Sequence, residues 1–287
     1  MLVLQSKGEL LSSYSSQMPH LMPRFSTLNT TNTIRSASFL AGVFGFSTTT
    51  KMDGPTSFPA RPYQPAKPDG PFPYSTFDMT PTDPGSDSSF YSQPRFVTHI
   101  DDNAIQNLRQ YYATVLSKKG RILDFCSSWI SHYPREVEAA KQAGEVEILG
   151  TGMNKAELSQ NPVLSAWALQ DLNEDPAVKL PVVEGKECGK VDASTCVVSI
   201  DYLTKPVEVL RSIREQTSEG GSVHLVISNR CFPTKVVGRW LRIDEEERLE
   251  MVGDYLRFSG WKDIEIVTVV AKSWMHDPLW VVRGRNE

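Results

Sequence analysis

In the run Arg121-Ile-Leu-Asp-Phe-Cys-Ser-Ser-Trp129 an apolar stretch ends in a carboxylate and a loop of small side chains, just ahead of a segment that reads as a helix. In open α/β sheets the ligand lies beyond the carboxyl ends of the strands, and the first strand-to-helix turn comes closest to it. Asp124 then has two readings, as an acceptor for a ligand's cationic group or as the cap of the following helix. Four further segments put polar side chains at comparable points: Gly152-Met-Asn154, Gln170-Asp-Leu172, Ser199-Ile-Asp-Tyr-Leu203 and Ser228-Asn-Arg-Cys-Phe-Pro-Thr234.

Positioning these groups falls to alternating helices and strands that begin at Asp101. Ile105, Leu108, Tyr112 and Val115 recur at helical spacing over about 101–117. Strands read at Arg121–Phe125, Val146–Gly150, about Ala166–Leu169, Thr195–Ile200 and Val223–Ser228. Helices read after Pro134, near Lys155–Gln160, after Pro206, and from the acids Glu245–Glu247 to Phe258. Gly220-Gly221 reads as the turn into the fifth strand. Two last strands, Ile264–Val270 and Leu279–Val282, are spaced as an antiparallel pair at a sheet edge. The alternation predicts a doubly wound, Rossmann-like α/β domain over 95–287, with a seven-stranded, mostly parallel sheet and an antiparallel C-terminal strand pair.

The remainder of the 287 residues is of different composition. Residues 1–51 are rich in Ser and Thr, carry Lys7, Arg24, Arg35 and Lys51, and contain a single acid, Glu9. That is the composition of an organelle transit peptide, plastid before mitochondrion because hydroxyl residues far outnumber arginines. A start at Met52 would leave a cytoplasmic form. Ten of the nineteen prolines fall between Pro55 and Pro94, so residues 52–94 read as a linker or extended arm, unsuited to a sheet or a continuous helix. The aromatics Phe72, Tyr74, Phe77, Phe90 and Tyr91 imply that its end packs on the domain. A formal charge of −4 without a basic stripe gives no field to attract nucleic acid or an anionic membrane surface and argues against either partner. Cys126, Cys188, Cys196 and Cys231 lack metal-ligand spacing, which argues against a zinc site and for a reducing compartment. No apolar run approaches the roughly 18 residues of a membrane span.

Five strands with intervening helices and a terminal strand pair resemble the class I S-adenosylmethionine-dependent methyltransferases. Asp124-Phe-Cys-Ser-Ser128 stands where that family has an acid-x-Gly-x-Gly loop, and Gln170-Asp171-Leu172 where it reads the adenine. Ser199-Ile-Asp-Tyr-Leu203 ends the fourth strand and Glu219-Gly-Gly221 precedes the fifth. Over about residues 90–287, Pro94-Arg-Phe-Val-Thr-His-Ile-Asp101, Gly152-Met-Asn154, Gln170-Asp-Leu-Asn-Glu-Asp175 and Ser228–Thr234 are similar to the methyltransferase type 11-like branch.

The resemblance implies S-adenosylmethionine as cofactor and a small-molecule methyl acceptor. Asp124 would accept from the donor's ammonium, and the backbone N–H groups of Cys126, Ser127 and Ser128 would face its carboxylate. Asp171 and Leu172 would hold the adenine, with a plain surface turn as the other reading of Asp171. Asp201 and Tyr202 would face the methyl as catalytic residues. Asn229, Arg230 and Phe232 would bind the acceptor, Arg230 favouring an anionic one. His132, His99 and His276 are weaker candidates for a base. The sequence departs from the family at Gly152, where relatives carry the acid that holds both ribose hydroxyls; Asn154 would offer a weaker, neutral bond. Glycines of the loop are replaced by Cys126 and Ser128. These departures keep a second reading open, a methyltransferase-like binding or assembly protein without turnover. A nicotinamide dehydrogenase is a third, disfavoured by the absence of a GxGxxG and of an acid after the second strand.

Overall fold

The computed structural model describes residues 57–287, so the stretch expected to be a transit peptide lies outside the described residues. The domain is built on one eight-stranded sheet. Its strands in chain order are β1 (Ala60–Pro62), β2 (Gly120–Phe125), β3 (Val146–Gly152), β4 (Ala166–Leu169), β5 (Val191–Val197), β6 (Thr217–Ser228), β7 (Lys262–Val270) and β8 (Leu279–Arg285). In space they run β1-β7-β8-β6-β5-β2-β3-β4. The pairs β4/β3, β3/β2, β2/β5 and β5/β6 are parallel, whereas β8 lies antiparallel between β6 and β7.

Helices cover both faces. The longer ones are α3 (Asp102–Val115), α4 (Arg135–Gln142), α5 (Lys155–Gln160), α6 (Pro206–Glu215) and α7 (Glu245–Phe258); α1 (Thr76–Met79) and α2 (Asp87–Phe90) are single turns. Leu123 and Phe125 of β2 belong to the apolar cluster under α6 and α7, while Ile122 belongs to the one under α3 and α4. That two-residue alternation turns Asp124 to the α3/α4 face along with Ile122. Right-handed crossovers explain the division, since the chain winds outward through β2, β3 and β4, then returns to β5 and winds the other way. The reversal between β2 and β5 opens a crevice at the strand ends.

Four expectations change. The sheet has eight strands, because Ala60–Pro62 of the proline-rich segment pairs antiparallel with β7. The final pair is not a simple edge hairpin, since β8 is inserted beside β6 and β1 takes the edge. Gly220 and Gly221 lie within β6, Gly220 at φ +75°, where a register shift in the β5/β6 pairing needs an irregular backbone. The fourth predicted strand also ends early: β5 stops at Val197, and Ile200–Tyr202 form a 3-10 turn.

Residues 57–94 pack on the domain. Tyr63 and Tyr74 both donate their phenols to Asp254 of α7, and the buried Lys235 ammonium bonds the carbonyl oxygens of Asp83 (3.3 Å) and Gly85 (2.6 Å). The same ammonium pairs with the carboxylates of Asp83 and Asp87 at 3.2 and 3.3 Å.

Candidate functional site

A cavity of about 390 Å³ opens at the crevice between the ends of β2 and β5, within the size range of small-ligand sites. Of the sequence-predicted residues it is lined by Asp124, Cys126, Ser127, Ser128, Asn154, Asp171, Leu172, Tyr202, Arg230 and Phe232. Asp201 and Asn229 are not in its wall.

Asp124, 3% exposed, is held by hydroxyls. Ser131 and Ser127 donate to one of its oxygens at 2.6 and 2.7 Å, and Thr195 to the other at 3.4 Å. Burial pushes its pKa up to about 6, against those three hydrogen bonds, which pull it down. It is therefore chiefly an anion near neutral pH, with no lysine or arginine in salt-bridge contact among the described residues. The helix-capping reading fails: α4 begins eleven residues later behind Pro134, with no side-chain cap.

The loop that follows takes its shape against the chemistry of its side chains. Cys126 has φ +53°, a left-handed backbone that suits glycine, and His132 (φ +56°) and Val198 (φ +43°) share that strain in the same cavity wall. Not all three loop N–H groups face the cavity, since Ser127 N–H donates to the Thr151 carbonyl at 2.7 Å. The loop thus lies pressed on the end of β3. This explains Gly152, where a β-carbon would collide with the Ser127 carbonyl oxygen and no acid could be carried.

Asn154 does not supply the missing acceptor. Its side-chain oxygen caps α5 by accepting from the N–H groups of Ala156 (2.9 Å) and Glu157 (3.1 Å). Its amide nitrogen donates to the carbonyls of Tyr91 and Ser92. Glu157, which sequence reasoning missed, lines the cavity one turn later. One of its oxygens accepts from the Arg95 N–H at 2.6 Å, and the other has no protein partner among the described residues. Asp171 makes the turn that its alternative reading required, accepting from Asn173 and Glu174 N–H with one oxygen, while its second oxygen remains unpaired among the described residues and Leu172 is buried beside it. The signal for Glu157 was its place in the first turn of a helix just beyond a strand end.

Across the cavity the 3-10 turn separates two expected catalytic residues, because successive side chains there diverge by about a third of a turn. Tyr202 lines the cavity and accepts from the Phe232 N–H at 2.8 Å. Burial raises its phenol pKa far above the ordinary value. Asp201 instead points into the core, 4% exposed, one oxygen without a partner among the described residues, and burial pushes its pKa up to about 7. Asn229 is exposed and accepts from Ser228 Oγ, outside the cavity. Arg230 is at the rim, its Nε donating to the buried Asp277 at 2.8 Å. His276 is exposed beside Asp101. His132, buried, has its pKa lowered by burial to about 4 and its Nδ1 unpaired among the described residues.

The largest surprise is the second wall. Asp87, Tyr91, Arg95, Thr98, His99 and their neighbours roof the cavity. Trp129 fastens this segment rather than touching the cavity, donating from Nε1 to the Val97 carbonyl at 3.1 Å. Among the described residues no cluster of metal-ligating side chains occurs, and no helix is long and apolar enough to cross a membrane.

The winding, with an antiparallel strand inserted beside the last parallel one, carries the ligand crevice where the resemblance expects it. The architecture is that of a doubly wound, Rossmann-like α/β domain with an antiparallel strand pair at its C-terminal side. No family model matches the chain, and no curated protein matches it. Solved structures with a similar fold include the CurJ carbon methyltransferase (15% identity, TM-score 0.42, 64% of this chain and 54% of that one). Phosphoethanolamine N-methyltransferase 2 of Haemonchus contortus with S-adenosyl-L-methionine matches at 12% identity and TM-score 0.41, over 63% of this chain and 52% of that one. The [4+2]-cyclase SpnF matches at 12% identity and TM-score 0.45, over 67% of this chain and 89% of that one. The chain thus spans about half the length of the first two. At this similarity neither reaction nor substrate carries over, and both rest on the residues of the cavity.

Proposed function

We propose that this protein is an S-adenosylmethionine-dependent methyltransferase acting on a small molecule held in the cavity. The observation that carries the reading is that Asp124, the strained loop from Cys126, and Asp171-Leu172 form one wall of the same cavity that Tyr202 and Phe232 close on the other side. The residues fit the donor at both ends. Asp124 suits its ammonium, and Asp171 with Leu172 suits an amine-bearing planar ring; the free oxygen of Glu157 stands in for the acid that Gly152 cannot carry. When bound, S-adenosylmethionine supplies an electrophilic methyl group on a sulfonium. The chain's contribution is chiefly positioning. His99, whose pKa burial lowers, is a neutral imidazole near pH 7 and can take a proton from an acceptor hydroxyl or amine. Titration of S-adenosylmethionine and S-adenosylhomocysteine into the full chain and into Asp124→Ala tests this. Micromolar binding that weakens at least tenfold in the variant is expected; absence of binding at millimolar ligand by folded protein rejects it.

One structural fact favours the alternative, a binding or assembly protein that keeps the fold without turnover: the Ser127 carbonyl occupies the space a ribose-binding acid would need at Gly152. Donor binding without methyl transfer to any member of an acceptor panel would select it. The composition of residues 1–51 supports organellar, plastid-first residence, which import of a reporter fused to those residues would check.

A further inference from the structure

Of the segment Pro94–Asp101, which roofs the cavity, only His99 has a part in the methyltransferase reading. Arg95 faces that cavity from the segment. Its guanidinium carbon lies 4.6 Å from the centre of the Phe90 ring and 5.4 Å from that of Phe232. Its one side-chain hydrogen bond to protein among the described residues runs from an Nη to the Phe90 carbonyl, at 3.1 Å, and no carboxylate comes within salt-bridge distance of it there. A guanidinium has five N–H donors in a planar fork that matches a carboxylate. The neighbouring cations differ: Arg230 is paired with Asp277, and Lys235 with Asp83 and Asp87.

The guanidinium lies against Phe232, in the loop that follows β6, and near the Tyr91 ring, 5.8 Å from its centre. Phe232 also meets Tyr202 (5.9 Å between ring centres) and His99 (5.4 Å), so the cation stands at the edge of an aromatic floor. We propose that Arg95 is the anchor of the acceptor, gripping a carboxylate whose attached planar, apolar body rests on Phe232 and Tyr202. The acceptor class is then an aromatic carboxylic acid, its methylated group turned toward the β2 loop. This deepens the methyltransferase reading of the same cavity, but the anion subsite can be tested without the donor.

The probes are benzoate and its neutral isostere benzamide, titrated by NMR into the full chain and into Arg95→Met, Arg95→Lys and Arg230→Ala, with circular dichroism to verify folding. S-adenosylhomocysteine and 5′-deoxy-5′-methylthioadenosine, which lacks the amino-acid carboxylate, are titrated into the same proteins. Expected are benzoate binding at least tenfold tighter than benzamide, loss of that preference in Arg95→Met, partial retention in Arg95→Lys and a smaller loss in Arg230→Ala than in Arg95→Met; the reverse order overturns the proposal by assigning the anion to Arg230. Equal binding of the two probes by the wild type overturns the proposal. So does a tenfold loss of S-adenosylhomocysteine with methylthioadenosine unchanged in Arg95→Met, which would assign Arg95 to the donor's own carboxylate. Failure of the donor reading alone would appear as no nucleoside binding with the benzoate preference intact.

Discussion

The two walls of the cavity are built on opposite principles. The strand-end wall is closed upon itself: Asp124 has three hydroxyl partners, Asn154 caps α5, and the Ser127 carbonyl rests on Gly152. The wall made by residues 87–100 is held through its backbone by Asn154, Glu157 and Trp129, and at Asp87 by Lys235, and so leaves the Arg95 and His99 side chains without a carboxylate partner among the described residues. The difference teaches that conserving the geometry of a ligand site absorbs polar groups, whereas a segment anchored by its backbone can present its own to a ligand. Strain falls on the first wall, where three of the four non-glycine residues at positive φ among the described residues lie in the cavity lining.

Breaking the strand-end wall has the largest expected effect. Gly152→Asp should destabilise the fold by roughly 3 kcal/mol, because a side chain is forced against backbone that cannot yield. Thermal melting would register the loss, and nucleoside affinity should not rise although a carboxylate has been added at the cavity; improved binding would show that the loop is free to move. Behind the same wall, Asp201→Asn should stabilise. In the native protein its carboxyl titrates near 7, against the ordinary 3.8. Between those values the folded state keeps a proton that the unfolded chain has released, so wild-type stability falls as pH rises through that window. The variant should therefore gain roughly 2–4 kcal/mol over wild type at pH 8 and little at pH 4. A difference in melting temperature that does not change with pH would contradict the buried, protonated carboxyl.

On the other wall, Lys235→Met should cost about 1–2 kcal/mol and free α2, since two carbonyls and two carboxylates lose their shared donor. Faster proteolysis near residues 83–95 with an unchanged cleavage pattern elsewhere is the expected readout. Smallest is Arg230→Ala, whose half-exposed ion pair at the rim should be worth less than about 1 kcal/mol. A large loss of stability there would erase the contrast between a braced rim and an anchored roof.

Local patterns reveal the strand-end wall and fail for the roof, for physical reasons. The apolar run before Asp124 and the helix after Pro206 are set by burial on a period of two or 3.6 residues, which sequence records directly. Tyr202 and Asp201 are adjacent in sequence, and only the tight turn decides which faces the cavity. Arg95 and Glu157 escaped notice because their juxtaposition bridges 62 residues through one backbone hydrogen bond. Proline density in residues 52–94 argues against any sheet there, and β1 overturns that expectation, since a three-residue strand needs few donors and borrows its stability from β7.

That short strand has a consequence for how the molecule meets others of its kind. Pro59 and Tyr63 face β7, accepting from Thr268 N–H and donating to the Ile264 carbonyl at 2.9 Å each, so by alternation Ala60 and Pro62 turn their backbones outward. Pro62 has no N–H to offer there, and the outermost rim of the sheet is left unable to complete a ladder with a neighbouring chain. A proteolytic cut on the carboxyl side of Pro62 would release this cover and bare the hydrogen-bonding edge of β7. Where the N-terminus of the working protein lies therefore sets whether the sheet ends in a blunt margin or a template for self-association.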